Sequence, residues 1–97
     1  MEEIGTTKEI GINNRPFECI KNLSNIHGYD YSLWFGECVP DVKKHYIYIE
    51  CDKSPIGVWT FSDTEKEKSI KIIEDAIARF NLKALIDNID KNLDVIL

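Results

Sequence analysis

Side chains between Tyr29 and Ser62 sort by parity, and that regularity limits the fold more than any other feature of the chain. Odd positions carry Tyr29, Tyr31, Leu33 and Phe35, then His45, Ile47, Ile49 and Cys51, then Trp59 and Phe61. Even positions carry Asp30, Ser32 and Trp34, then Tyr46, Tyr48 and Glu50, then Val58, Thr60 and Ser62. Successive side chains on a strand point to opposite faces, so the pattern describes strands with one apolar and one mixed face. Strands are expected at about Tyr29 to Glu37, Lys44 to Cys51 and Gly57 to Ser62, with turns over Cys38 to Val42 and Asp52 to Gly57. An antiparallel meander is the simplest connection over loops this short. Pairings such as Leu33 with Ile47 and Ile49 with Trp59 keep the odd residues together, whereas a slip of one residue scatters them.

The odd face needs a cover, and the next segment supplies one. Ile70, Ile73, Ile77 and Phe80 form a helical stripe that predicts a helix over 64–80, with Ser62 and Glu65 spaced as a capping box. After Phe80 the stripe changes phase to Leu82, Leu85, Ile86, Ile89 and Leu93. One straight helix cannot bury both sets on one side, so a break at Asn81, acting as N-cap, and a further helix over 82–93 are expected. The apolar tail Val95-Ile96-Leu97 is expected to dock against the domain.

Before the strands, Cys19, Ile20, Leu23 and Ile26 recur at spacings that favour a short N-terminal helix over 16–26, with Pro16 in its first turn and Gly28 closing it. The competing reading is a strand with Phe17, Cys19 and Leu23 on one side. Lys8 to Ile12 is a candidate edge strand, weakened by two nearby glycines, and Asn13-Asn14 reads as a turn or cap. The fold expected is α+β: one small domain over 1–97, with a three- or four-stranded antiparallel meander and an amphipathic helix on its odd face.

The order helix, three antiparallel strands, helix is similar to that of double-stranded-RNA-binding domains. That resemblance implies a lysine cluster at the start of the last helix to grip phosphates. Here the start reads Asp63-Thr64-Glu65-Lys66-Glu67-Lys68, alternating in sign, so the function is not carried over. Charge points the same way: 17 acidic against 12 basic residues give a net −5, with a pI near 4.9. Nucleic acid is thereby disfavoured as a partner, because its affinity comes largely from cations neutralising phosphates. An acidic domain suits the steering of a basic protein surface.

The soft ligands are Cys19, His27, Cys38, His45 and Cys51, without a CxxC or HxxxH pair. No metal site and no cofactor is expected from that spacing. Nucleophilic catalysis would need a cysteine beside a histidine: His45 and Cys51 are too far apart along one strand, and only Cys38 and His45 flank a common turn. Asp87, Asp90 and Asp94 follow a helical spacing and lack the glycine turn of a calcium loop. The odd number of cysteines, the absence of an apolar leader and of any membrane-length run predict reduced thiols and a cytoplasmic location, with no membrane partner.

What remains is the mixed face. Trp34, Tyr46 and Tyr48 are residue types that dominate interface hot spots, and Asp30 and Glu50 flank them as an acidic rim or a paired acid. Whether the 82–93 helix or the N-terminal helix covers these aromatics decides between core and surface. The function expected is a non-catalytic acidic protein-binding module, in its concrete form an inhibitor or antidote that occludes a basic site on an enzyme. The alternative is a small-ligand-binding protein or minor enzyme with a pocket between sheet and C-terminal helix.

Overall fold

Five antiparallel strands keep their sequence order across a single sheet: β1 (Thr7–Glu9), β2 (Pro16–Ile26), β3 (Tyr29–Glu37), β4 (Lys44–Cys51) and β5 (Ser54–Ser62). Two helices follow, α1 (Lys66–Arg79) and α2 (Leu82–Asn92). This computed structural model describes residues 3–9, 16–37, 44–62 and 65–92. The architecture is α+β, as the alternation and the helical stripes predict, with five strands in place of three or four. The expected turns at Asn13-Asn14 and Cys38 to Val42, the far end of the Lys8 to Ile12 strand, Leu93 and the apolar tail lie outside the described residues.

The expected helix over 16–26 is a strand, and the resemblance to RNA-binding domains ends there. Two irregularities in β2 explain the misleading spacing. Cys19 faces Trp34 and Lys21 faces Leu33, so Ile20 is an extra residue; Leu23 faces Tyr31 and Ile26 faces Tyr29, so the Ser24-Asn25 pair spans a single β3 residue. Each bulge returns the next side chain to the same face. Ile20, Leu23 and Ile26 therefore all pack on the main core at intervals of three, which imitates a helix. Asp30 Oδ1 accepts the Asn25 N–H at 2.9 Å, pinning the second bulge where Asn25 has φ of 53°. Gly28, expected to close a helix, instead shares a two-residue hairpin loop with His27, both at positive φ (86° and 53°). Asp52 and Lys53 make the same kind of loop between β4 and β5, at 48° and 69°. Positive φ at both central residues is what the type I′ turn needs to match the strand twist.

Parity holds through β3 and β4, shifted by two from the expected pairs: Leu33 faces Ile49, and Ile47 faces both Phe35 and Trp59. The odd residues Tyr31, Leu33, Ile47, Ile49, Cys51, Trp59 and Phe61 share one buried core with Ile73 and Ile77 of α1 and Leu85 and Ile89 of α2. Both helices therefore lie on the odd face. Lys21 pairs with Glu74, and the Lys66 ammonium sits 4.2 Å above the Phe35 ring, fastening α1 to the sheet at two places. A Cβ at Gly57 would stand 2.7 Å from Ile89 Cγ2, so the missing side chain lets α2 rest against β5.

Between the helices, Phe80 is extended (φ −104°, ψ 145°), and Asn81 Oδ1 accepts the Ala84 N–H at 2.9 Å. The expected break and N-cap are thus present. The expected capping box is not: Ser62 ends β5 opposite Lys44, and Glu65 occupies the N-cap position of α1 without a side-chain cap bond.

Candidate functional site

Cys19, Trp34 and Tyr48 lie side by side across β2, β3 and β4, because Cys19 faces Trp34 and Trp34 faces Tyr48. The bulge at Ile20 turns Phe17 and Cys19 toward this even face, where they form a second core with Trp34, bordered by the partly buried Tyr46 and Tyr48. No described helix residue belongs to it. Among the described residues the C-terminal helix therefore does not cover the aromatics; the N-terminal strands do. Phe17 and Tyr48 approach edge to face, ring centroids 6.3 Å apart at 69°, above Gly36.

β1 closes the arrangement. In a flat sheet β1 and β4 would be roughly 14 Å apart, with side chains standing at right angles to it. Yet Lys8 Nζ donates to Glu50 Oε2 at 2.7 Å. Lys8 therefore reaches over Trp34 of the third strand to the fourth. The same ammonium stands 4.1 Å from the Trp34 ring centroid and 5.9 Å from that of Tyr48. Trp34 is fully buried and Glu50 is 5% exposed, an unusual depth for a carboxylate. Glu50 Oε1 and Trp34 Nε1 are buried without a partner among the described residues. Burial pushes the Tyr48 phenol up, and the Glu50 charge adds to the effect.

Of the residues singled out in the sequence, Trp34, Tyr46, Tyr48 and Glu50 are brought together. Asp30 is not part of the group: it is exposed, braces the β2 bulge, and donates its N–H to Asp52 Oδ1. Ser32 faces Glu50 across the strands, so Asp30 is only diagonal to it. Lys8, Phe17 and Cys19 complete the site; none is expected on the mixed face from the sequence, where Cys19 is a candidate only as a soft ligand. Beside Cys19, Ser32 Oγ donates to Asn22 Oδ1 at 2.9 Å, and the Cys19 thiol lies 3.8 Å from the same oxygen.

Cys19 and Cys51 are buried in different cores, while Cys38 lies outside the described residues. Among the described residues no three His, Cys, Asp or Glu side chains gather as a metal site. His27, from the β2–β3 hairpin, donates through Nε2 to Ala78 O at 2.9 Å, at the negative end of α1. Next to it an open groove of about 510 Å³ runs between the hairpin and α2, lined by His27, Tyr29, Asn81, Leu82, Lys83 and Ile86. This groove lies between sheet and C-terminal helix but includes neither Asp30, Glu50, Tyr46 nor Tyr48. Comparison with protein-family models, curated proteins and solved structures gave no match to the chain.

Proposed function

We propose that the chain is a non-catalytic, acidic protein-binding module that docks its even sheet face on a basic surface of an enzyme and occludes it. The observation that carries this reading is the placement of both helices on the odd face, which leaves Tyr46 and Tyr48 partly exposed on the other. A Tyr pair at that depth offers apolar area with polar tips, the chemistry of an interface anchor. The net charge of −5 favours a basic partner by steering. A cytoplasmic setting suits the free thiol of Cys51.

The experiment is capture of a partner from lysate with the wild-type chain, Tyr46→Ala and Tyr48→Ala, followed by identification and direct titration. Both variants are expected to stay folded and lose at least about tenfold in affinity, a hot-spot-sized effect. Trp34→Ala is the control for the core, expected to cost roughly 3–5 kcal/mol of stability as a buried aromatic. Unchanged affinity in both tyrosine variants rejects the face.

A second reading rests on the groove beside Tyr29. Its volume lies within the range of small-ligand sites, which run to about 300–1,000 Å³. A thermal shift with a metabolite, removed by Leu82→Ser, would favour a small-ligand binder over the docking module.

A further inference from the structure

We infer that Trp34, Tyr48 and Glu50 form an organic-cation site, which the chain fills with its own Lys8 and which a partner's arginine can enter in its place. This deepens the docking reading by naming what the even face takes in.

The site has the components that cation recognition requires. One aromatic face stands 4.1 Å from the ammonium, a second 5.9 Å, and a carboxylate oxygen 2.7 Å. Carboxylates buried this deeply are retained where a cation meets them. The present cation is held by the smallest element of the sheet: β1 has three residues and pairs with β2 alone. It contributes no apolar side chain to either core, and 36% of the Lys8 side chain is exposed. Edge elements with so few buried contacts open far more often than the domain unfolds. Opening β1 uncovers the site while α1, α2 and the odd-face core stay in place.

The carboxylate also states a preference. An ammonium is a point donor, and Lys8 engages only Glu50 Oε2. Glu50 Oε1 is buried with no partner among the described residues, and Glu50 shares the even face with Trp34 and Tyr48. A guanidinium presents a planar fork to both oxygens while stacking on an indole. The unfilled acceptor is the one an arginine would use and a lysine does not.

The test uses the full chain, the variants Lys8→Ala and Lys8→Met, and the neutral-backbone probe N-acetyl-arginine amide. Acetyl-lysine amide and acetyl-citrulline amide serve as comparisons. Binding is followed by NMR at the Trp34 indole and the Tyr48 ring. Lys8→Ala is expected to give a saturable shift with the arginine probe in the millimolar range, several-fold weaker with the lysine probe and absent with citrulline. Wild type should bind at least about tenfold more weakly, since Lys8 competes, and Lys8→Ala with Glu50→Gln should lose the shift. A folded Lys8→Ala without saturable shifts, or equal shifts with citrulline, overturns the proposal. If Lys8→Ala does not fold, Lys8→Met keeps the stem and takes the same titration; if that also fails, Lys8 is structural and the proposal falls. A partner captured through Tyr46 and Tyr48 without an arginine shift rejects the cation site alone. A saturable shift without a captured partner rejects the docking reading alone.

Discussion

A Cβ built at Gly36 would lie 2.5 Å from Phe17 Cζ and 2.6 Å from both neighbouring ring carbons, with the ring lying over the backbone. Gly36→Ala therefore forces Phe17 off its place beside Trp34, an overpacking cost of roughly 1–3 kcal/mol. Urea denaturation checks the value, and the double variant with Phe17→Leu should recover part of it, because the two changes share one contact. The same neighbourhood shows what could be read from single residues. Parity puts Trp34, Tyr46, Tyr48 and Glu50 on one face, and they are there. The depth of Trp34 could not be read, since its cover comes from Phe17 on a strand that looks helical and from Lys8, 42 residues before Glu50. A lysine among glycines near a chain start carries no local sign that it will meet a tryptophan. The one hint is Glu50 itself, an acid directly after the apolar and aromatic run Tyr46 to Ile49, which had to find a cation somewhere.

At the scale of elements, α1 and α2 are legible because a helix writes its stripe locally, and the change of phase after Phe80 locates the joint. Asn81 holds that joint: besides the Ala84 N–H at its side chain, its carbonyl accepts the Leu85 N–H at 2.8 Å. Asn81→Ala should cost about 1 kcal/mol and Asn81→Asp much less, since the aspartate keeps an acceptor at the cap. Thermal melts of the two variants decide this, and equal losses would mean the side chain does not cap. The strand β2 misleads for the opposite reason. Its face is set by bulges, and a bulge exists only in relation to the partner strand. With two extra residues inside one strand, Ile20, Leu23 and Ile26 repeat at three, a period that belongs to helices when read along the chain alone. His27-Gly28 between two strand-like runs is the signal that could have corrected it, because His tolerates positive φ better than most residues and Gly freely.

For the whole molecule, the titration of buried groups predicts how stability varies with pH. Tyr31 and Cys51 face each other on the odd side of β3 and β4, both inside the main core. Burial pushes the Tyr31 phenol from its ordinary 10 up to about 12, and the adjacent Cys51 thiol adds to the effect. Burial likewise raises Cys51, with the Asp52 charge contributing. Tyr48 moves in the same direction on the other face. Each group is an acid that the fold keeps protonated after the unfolded chain has released its proton. The folded state then binds more protons, and stability falls as pH rises. The contribution is complete below about pH 9, begins to fail as the unfolded thiol and phenols ionise, and for Tyr31 is gone once pH passes 12. A tenfold change in a protonation equilibrium corresponds to about 1.4 kcal/mol, so Tyr31 alone contributes on the order of 3 kcal/mol. Self-repulsion acts in the same sense, because a chain already at −5 gains further negative charge over this range. Tyr31→Phe separates the two effects: it removes the titrating phenol and leaves the surface charge alone. Urea denaturation from pH 7 to 11.5 should show wild type losing stability steeply above pH 10 and Tyr31→Phe losing distinctly less. Parallel curves would mean that the alkaline loss comes from repulsion rather than from the buried phenol.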